Sequence, residues 1–134
     1  MKGLLICLFL FLGFHHFAQE RLGRSWDYVY GEYNSKQFEI DQGVDKENGI
    51  RWLWVGRDNC TVVYYFDLVS LKCTACTINP KTPKDFNDFK NLYDTSHKIV
   101  NESEWSLIKD GKKVSIQLLE DRVNGKYFAW GYKG

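Results

Sequence analysis

The chain has 134 residues, of which 16% are aromatic and 26% are charged, and its 18 basic side chains are balanced by 17 acidic ones. This length is that of one ordinary domain, which can bury a hydrophobic core without disulfide staples. The balanced charge excludes the dense basic surface on which nucleic-acid binding depends.

The start of the chain predicts export. Lys2 precedes an apolar run over residues 4–14, and a short basic start followed by such a run is typical of a secretory signal peptide. The run is shorter than the roughly 20 residues of a membrane-spanning helix, so a retained anchor is the less favoured alternative. We expect a signal peptide over 1–18, cut after Ala18, and a single domain over 19–134 in the periplasm or outside the cell.

A first short helix is predicted over 25–34. Ser25 is a suitable N-cap, and Trp26, Val29 and Tyr33 recur at helical spacing. Gly31 weakens this helix by up to about 1 kcal/mol relative to alanine.

Four strands are predicted between this helix and the next. Their β-branched and aromatic residues alternate over 38–40, 50–55, 61–68 and 72–78. The turn signal Asn48-Gly49 separates the first two, and a turn near Ser70 separates the last two.

A second helix begins with better signals. Thr82 can act as N-cap, Pro83 fits the first helical position, and Phe86, Phe89 and Tyr93 then form one apolar stripe. Three further strands are predicted over 98–107, 113–119 and 126–132, with two-residue turns at Asp110-Gly111 and Asn124-Gly125. The order helix, strands, helix, strands predicts a two-layer α+β fold. In it, an antiparallel sheet of about seven strands carries both helices on one face.

The mature chain keeps three cysteines, Cys60, Cys73 and Cys76. If 61–68 and 72–78 form a hairpin, no two of them come within the roughly 7 Å between Cα atoms that a disulfide needs. The extended reading also places Cys73 and Cys76 on opposite faces. We therefore expect three free thiols that pack as small apolar residues.

Two functional interpretations of these cysteines, a redox motif and a zinc site, have less support than free thiols. A redox Cys-x-x-Cys motif needs its first cysteine at a helix start, whereas Cys73 and Cys76 fall in a predicted strand. A zinc site formed by Cys60, Cys73, Cys76 and His97 would need all four to converge, and a second close-spaced ligand pair is missing. We expect no metal and no cofactor.

Other polar residues indicate no catalytic centre. His97 follows the second helix and is expected at the surface, and no G-x-S-x-G elbow marks a nucleophile. No phosphate-binding or dinucleotide-binding loop is present. Several carboxylates are interpreted as solvated acids near turns; these are Asp41, Asp45, Glu47, Glu120 and Asp121.

Trp52 and Trp54 are two residues apart in a predicted strand, so they share one face of the sheet. On an uncovered face they could anchor a protein partner or stack on a sugar, because tryptophan is enriched in binding hot spots. The large surface that an aromatic side chain buries favours instead a position beneath the helices.

Several short motifs resemble those of small exported proteins of the Bacteroidetes. They are Phe17-Ala18-Gln19-Glu20, Leu22-Gly23-x-Ser25, Tyr64-Tyr65-Phe66-Asp67, Cys73, Asn79-Pro80-Lys81 and Trp105. The order of elements is also similar in topology to two-repeat α+β modules such as beta-lactamase-inhibitor proteins and small outer-membrane assembly lipoproteins. Neither resemblance implies a catalytic residue.

We therefore expect an exported, non-enzymatic binding or accessory protein that binds another envelope or secreted protein, with Trp52 and Trp54 as candidate contact residues. A carbohydrate-binding module that uses the same two tryptophans is one alternative. A metal-binding or enzymatic protein that uses Cys60, Cys73, Cys76 and His97 is the other.

Overall fold

The computed structural model describes residues 21–133, which contain two groups of one helix followed by four strands. The first group is α1 (Trp26–Ser35), β1 (Ile40–Asp45), β2 (Ile50–Gly56), β3 (Cys60–Asp67) and β4 (Cys73–Pro80). The second is α2 (Pro83–Ser96), β5 (Lys98–Asn101), β6 (Glu104–Lys109), β7 (Lys112–Asp121) and β8 (Gly125–Tyr132). The predicted signal peptide over 1–18 lies outside the described residues.

The eight strands form one antiparallel sheet in the order β1-β2-β3-β4-β8-β7-β6-β5. Each group is a meander of four neighbouring strands, and the two meanders meet where β4 pairs with β8. Read inward from either edge, the strands follow the same order, so the two halves are related by an approximate twofold axis. The predicted α+β class with an antiparallel sheet is confirmed.

The predicted strand count of about seven is one too low, because 98–107 is a hairpin and not one run. The chain turns at Glu102 and Ser103, and Asn101 pairs with Glu104 across the turn. The Asn101 side-chain oxygen accepts the backbone N–H of Ser103 at 2.9 Å. Asparagine commonly starts turns in this way, so Asn101 was the available signal.

The predicted turns lie where the sequence signals placed them, but not all of them are two-residue turns. Asp110 and Gly111 both have positive φ, 52° and 75°, as a two-residue type I′ turn requires. The signal at Asn124 and Gly125 was predicted as a two-residue turn, which is wrong because Asp121 pairs with Gly125 around three intervening residues. The Asp121 carboxylate organises this turn by accepting the backbone N–H of Asn124 at 2.6 Å.

Both helices begin at their predicted caps. The Ser25 hydroxyl accepts the N–H of Tyr28 at 3.2 Å, and the Thr82 hydroxyl accepts the N–H of Asp85 at 3.1 Å. Each helix then buries one stripe against the sheet. The buried side chains are Trp26, Val29 and Tyr33 in α1 and Phe89, Leu92 and Tyr93 in α2.

A single cluster of buried side chains fills the space between the helices and one face of the sheet. Its largest members from the strands are Leu53, Tyr64, Phe66, Ile78, Trp105, Ile116, Phe128 and Trp130. Because side chains alternate along a strand, their neighbours in sequence point to the opposite face, which no described helix covers. Within residues 21–133 no helix has the length and apolar character needed to cross a membrane.

Candidate binding surface

Trp52 and Trp54 lie on the face of the sheet that neither α1 nor α2 covers, which we call the helix-free face. Between and after them in β2, Leu53 and Val55 are fully buried in the core, whereas the two tryptophans are partly exposed. The guanidinium of Arg51 points to the helix side, 3.7 Å from the centre of the Trp26 ring. The preference for tryptophans beneath the helices is therefore wrong, because the alternate residues of β2 occupy that layer.

The indole of Trp52 fills a space that a glycine leaves open on the neighbouring strand. Gly43 of β1 is the cross-strand partner of Trp52, and a Cβ added there would lie 2.6 Å from Cε2 of the indole. The ring therefore packs beside the backbone of β1, which holds it close to the sheet. Tyr65 of β3 is the partner on the other side.

Trp54 is placed in a similar way. Its cross-strand partners are Asp41 on β1 and Val63 on β3. A Cβ added at Gly56 would lie 3.1 Å from its Cη2 and 3.5 Å from Oε2 of Glu39. The indole edge and the Glu39 carboxylate therefore approach the same point.

The two tryptophans and their neighbours line a concavity with a volume of about 710 Å³. We name the four side chains Trp52, Trp54, Val63 and Tyr65 the open-face platform. Glu39, Ile40 and Asp41 also line the concavity. Val63 and Tyr65 alternate with the buried residues of β3, and the register of β2 with β3 brings them beside the tryptophans.

The indole N–H groups of the platform differ from those of two core tryptophans. Trp105 donates to Oδ1 of Asp94 at 2.9 Å, and Trp130 donates to the hydroxyl of Tyr93 at 3.3 Å. Neither Trp52 nor Trp54 donates its indole N–H to any residue of the described range. Both donors are therefore open to water or to a ligand.

Two carboxylates border the platform without an ion pair to any cation of the described residues. Glu39 and Asp41 form no ion pair within residues 21–133. The nearby guanidinium of Arg57 lies on the Phe38 ring, 5.2 Å from its centre. The surface thus combines apolar ring faces with uncompensated negative charge.

Two of the acids predicted near turns, Asp45 and Asp121, hold turns through hydrogen bonds. Hydrogen bonds from the side chain and backbone of Asn48 hold the pKa of Asp45 below its usual value. Backbone and side-chain N–H groups of Asn124 do the same for the pKa of Asp121. Asp41 is exposed, as predicted, but it lies within β1 and beside the platform and not in a loop.

The corresponding surface in the second half of the molecule is polar. Counted from the centre of the β6–β7 hairpin, the positions that match the platform hold Glu104, Ser106, Ser115 and Gln117. Here the acid is compensated: Glu104 pairs with Nζ of Lys133 at 3.3 Å and accepts a hydrogen bond from Gln117 at 3.4 Å. The fold therefore does not require aromatic residues at these positions.

The three cysteines are free and buried, as predicted. Burial raises the pKa of Cys60 and of Cys73 to about 12 and also raises that of Cys76 well above its usual value, so all three are protonated thiols at neutral pH. The prediction that Cys73 and Cys76 face opposite ways is wrong. A bulge at Thr74 inserts one extra residue into β4, and both thiols then point into the core.

His97 does not join the cysteines in a site. It ends α2, its backbone N–H bonds to the carbonyl of Tyr93 at 3.0 Å, and its ring is 5.9 Å from Tyr93 and 5.8 Å from Trp130. It is therefore half-buried against core rings and not the fully exposed residue that was expected. In the described part of the chain, no group of three or more His, Cys, Asp or Glu residues is arranged to hold a metal ion.

Comparison of the chain with protein-family models, with curated proteins and with solved structures found no match. The open-face platform is therefore identified from the geometry of this chain alone.

Proposed function

We propose that this chain is an exported, non-enzymatic binding protein that holds a partner protein on its open-face platform. The observation that carries the proposal is the placement of Trp52 and Trp54 side by side on the helix-free face. Both are partly exposed and line one concavity with Tyr65. Tryptophan and tyrosine dominate binding hot spots because a rigid ring buries much apolar area with little loss of entropy.

The polar edge of the platform supports the same function. Interfaces combine an apolar centre with polar groups that fix orientation. The free indole N–H groups of Trp52 and Trp54 are donors, and the carboxylates of Glu39 and Asp41 are acceptors. Both kinds of group surround the aromatic centre, so a partner could be oriented as well as bound.

The test is capture from the cell envelope with three baits: the native mature chain, Trp54→Ala and Tyr28→Ala. Tyr28 is an aromatic residue of α1 that is 47% exposed and lies away from the platform, so Tyr28→Ala is the control for non-specific binding through exposed aromatic residues. We expect a specific partner that Tyr28→Ala retains and Trp54→Ala loses. Once that partner is purified, the substitution at Trp54 should weaken its Kd by about 30-fold, the effect of a hot-spot residue. Capture that is indifferent to Trp54 contradicts the proposal.

Export has its own test. The apolar run over 4–14 after Lys2 supports a cleaved signal peptide. The mass of the protein recovered from the native host should match a chain that begins at Gln19. A protein that keeps residues 1–18, or that stays in the cytoplasm, contradicts export and leaves the platform unaffected.

A carbohydrate-binding module is the second candidate, favoured by the open indole faces next to free donors and acceptors. Sugars stack their apolar ring faces on aromatics and place hydroxyls on such polar groups. Neutral oligosaccharides should then quench tryptophan fluorescence, and Trp54→Ala should remove the quenching. Unchanged fluorescence would exclude this candidate.

A further inference from the structure

The chemistry of the partner can be inferred from the charges at the platform, and this step rests on the function proposed above. We propose that the platform binds a basic segment of the partner protein. An arginine side chain of that segment lies on the ring of Trp52 or Trp54, and its guanidinium is held by the carboxylates of Glu39 and Asp41.

The protein already packs guanidinium groups on aromatic rings elsewhere. Arg51 lies 3.7 Å from the centre of the Trp26 ring, and Arg24 lies 4.9 Å from that of Tyr28. A guanidinium favours such positions because the face of an aromatic ring is negative and the group is weakly hydrated. No cation of the described range lies over Trp52 or Trp54, so these faces are free for a cation from outside.

The carboxylates favour a cationic partner over a neutral one. A neutral ligand that covered Glu39 and Asp41 would strip water from two negative charges and leave them uncompensated, which is costly. A guanidinium replaces that water with two charge-assisted hydrogen bonds in a planar geometry that a carboxylate matches. A basic protein segment therefore fits this surface better than a sugar does.

In the second half of the molecule, an acidic residue at a position equivalent to the platform forms an ion pair within the chain. Glu104, which matches Trp52 in the twofold relation, is neutralised by Lys133 and accepts a hydrogen bond from Gln117. The first half places aromatic rings there, and its acids on the neighbouring edge, Glu39 and Asp41, pair with no cation between residues 21 and 133. The missing positive charge is the feature that the partner supplies.

The experiment follows the indole N–H resonances of the ¹⁵N-labelled mature chain during titration with a tetra-arginine peptide. Tetra-citrulline is the control, because citrulline keeps the planar shape and lacks the charge. We expect the arginine peptide to shift the signals of Trp52 and Trp54 and to leave those of Trp105 and Trp130 in place, with a Kd on the order of 1 mM. The citrulline peptide should bind roughly tenfold more weakly, and added salt should weaken the arginine complex.

Matched variants test the carboxylates. Glu39→Gln combined with Asp41→Asn should weaken tetra-arginine binding about tenfold, as expected for the loss of two exposed charge contacts. Glu102→Gln combined with Glu120→Gln removes the same net charge from exposed positions in the second half and should leave the Kd within about twofold, because distant surface charges are screened.

Three results would overturn the inference: equal binding of the two peptides, indifference to the pair of substitutions at Glu39 and Asp41, or no shift of either indole signal by tetra-arginine. Chitotetraose that shifts the same signals in the charge-removed variant as well as in the native chain would identify a sugar site instead. Failure here is separable from failure of the proposed function. A captured partner that needs Trp54 but tolerates Glu39→Gln with Asp41→Asn overturns only the basic segment, whereas capture indifferent to Trp54 overturns both.

Discussion

The indole of Trp52 occupies the place beside Gly43 in which any other residue would carry its Cβ. That added atom would lie 2.6 Å from Cε2 of the ring, closer than packed atoms approach, so the indole position depends on this glycine. A residue of the edge strand β1 therefore controls the shape of a surface formed by β2 and β3.

Replacing Gly43 by alanine should push the Trp52 indole away from β1. We expect a changed Trp52 indole N–H resonance and ligand binding weakened several-fold. The loss of stability should be only about 1 kcal/mol, because a partly exposed ring can rotate away. The resonance is read in a ¹H–¹⁵N spectrum, and stability is read by urea unfolding.

Gly31→Ala is the matched control. Gly31 lies in α1, and a Cβ added there meets nothing within 4 Å. Alanine should therefore stabilise the helix by about 0.5–1 kcal/mol and leave the Trp52 signal unchanged. An unshifted Trp52 signal in Gly43→Ala would contradict the role assigned to that glycine.

Asp94→Ala should destabilise the protein by about 1–3 kcal/mol, because it leaves the buried indole N–H of Trp105 without its acceptor. Asp88→Ala is the control: Asp88 also pairs with a lysine four residues away in α2, but that pair is exposed and should contribute less than about 0.5 kcal/mol. Equal effects of the two substitutions on urea unfolding would show that the Trp105 bond contributes nothing.

The Asp94 carboxylate should also make the stability of the protein depend on pH in the acidic range. The hydrogen bonds from Trp105 and from Lys90 lower the pKa of Asp94 from its ordinary 3.8, so the folded state favours the ionised form. This contribution is present above pH 3.8 and is lost as the pH falls through the lowered folded pKa. The stability difference between the native chain and Asp94→Ala should therefore shrink as the pH is lowered from 5 to 3, and a constant difference would be the contrary result.

The buried thiols should make stability fall in alkali. Burial raises the pKa of Cys60 and Cys73 from 9.0 to about 12, so the folded state keeps protons that the unfolded chain releases. Their stabilisation is complete below pH 9 and is lost as the pH rises towards 12, at up to about 1.4 kcal/mol per pH unit for each thiol.

Cys73→Ala removes one of these groups. Its stability should fall less steeply than that of the native chain between pH 9 and 11, by up to about 1.4 kcal/mol per pH unit. Urea unfolding at each pH under reducing conditions gives the two slopes. Parallel slopes would mean that the Cys73 thiol ionises as readily in the folded protein as in the unfolded one.

Thiol accessibility gives an independent check on the core. Cys60, Cys73 and Cys76 are each no more than 1% exposed, so an aromatic disulfide reagent should label none of them in the native mature chain and all three in denaturant. Rapid labelling of a native thiol would contradict the position of β4, and a mass two units low without reductant would indicate a disulfide that the structure excludes.

Local signals in the sequence were sufficient for the elements themselves. The caps Ser25 and Thr82 act on N–H groups three residues away, and the Asp110-Gly111 turn depends on backbone angles that few residues adopt. Features of this kind are decided within a few residues. Such features can be predicted where the local signal is strong. The turn beginning at Asn101 was missed because a single polar side chain is a weaker signal than an Asp-Gly pair.

The sequence by itself determined two helices, the alternation of the strands and the fact that Trp52 and Trp54 share a face. Only the tertiary structure decided which face that is, because alternation divides a strand into two sides without saying which one the helices cover. The register of β1, β2 and β3 then placed Glu39, Asp41 and Tyr65 beside the tryptophans. One extra residue at Thr74 likewise turned Cys73 to the core side, since a bulge reverses the alternation that precedes it.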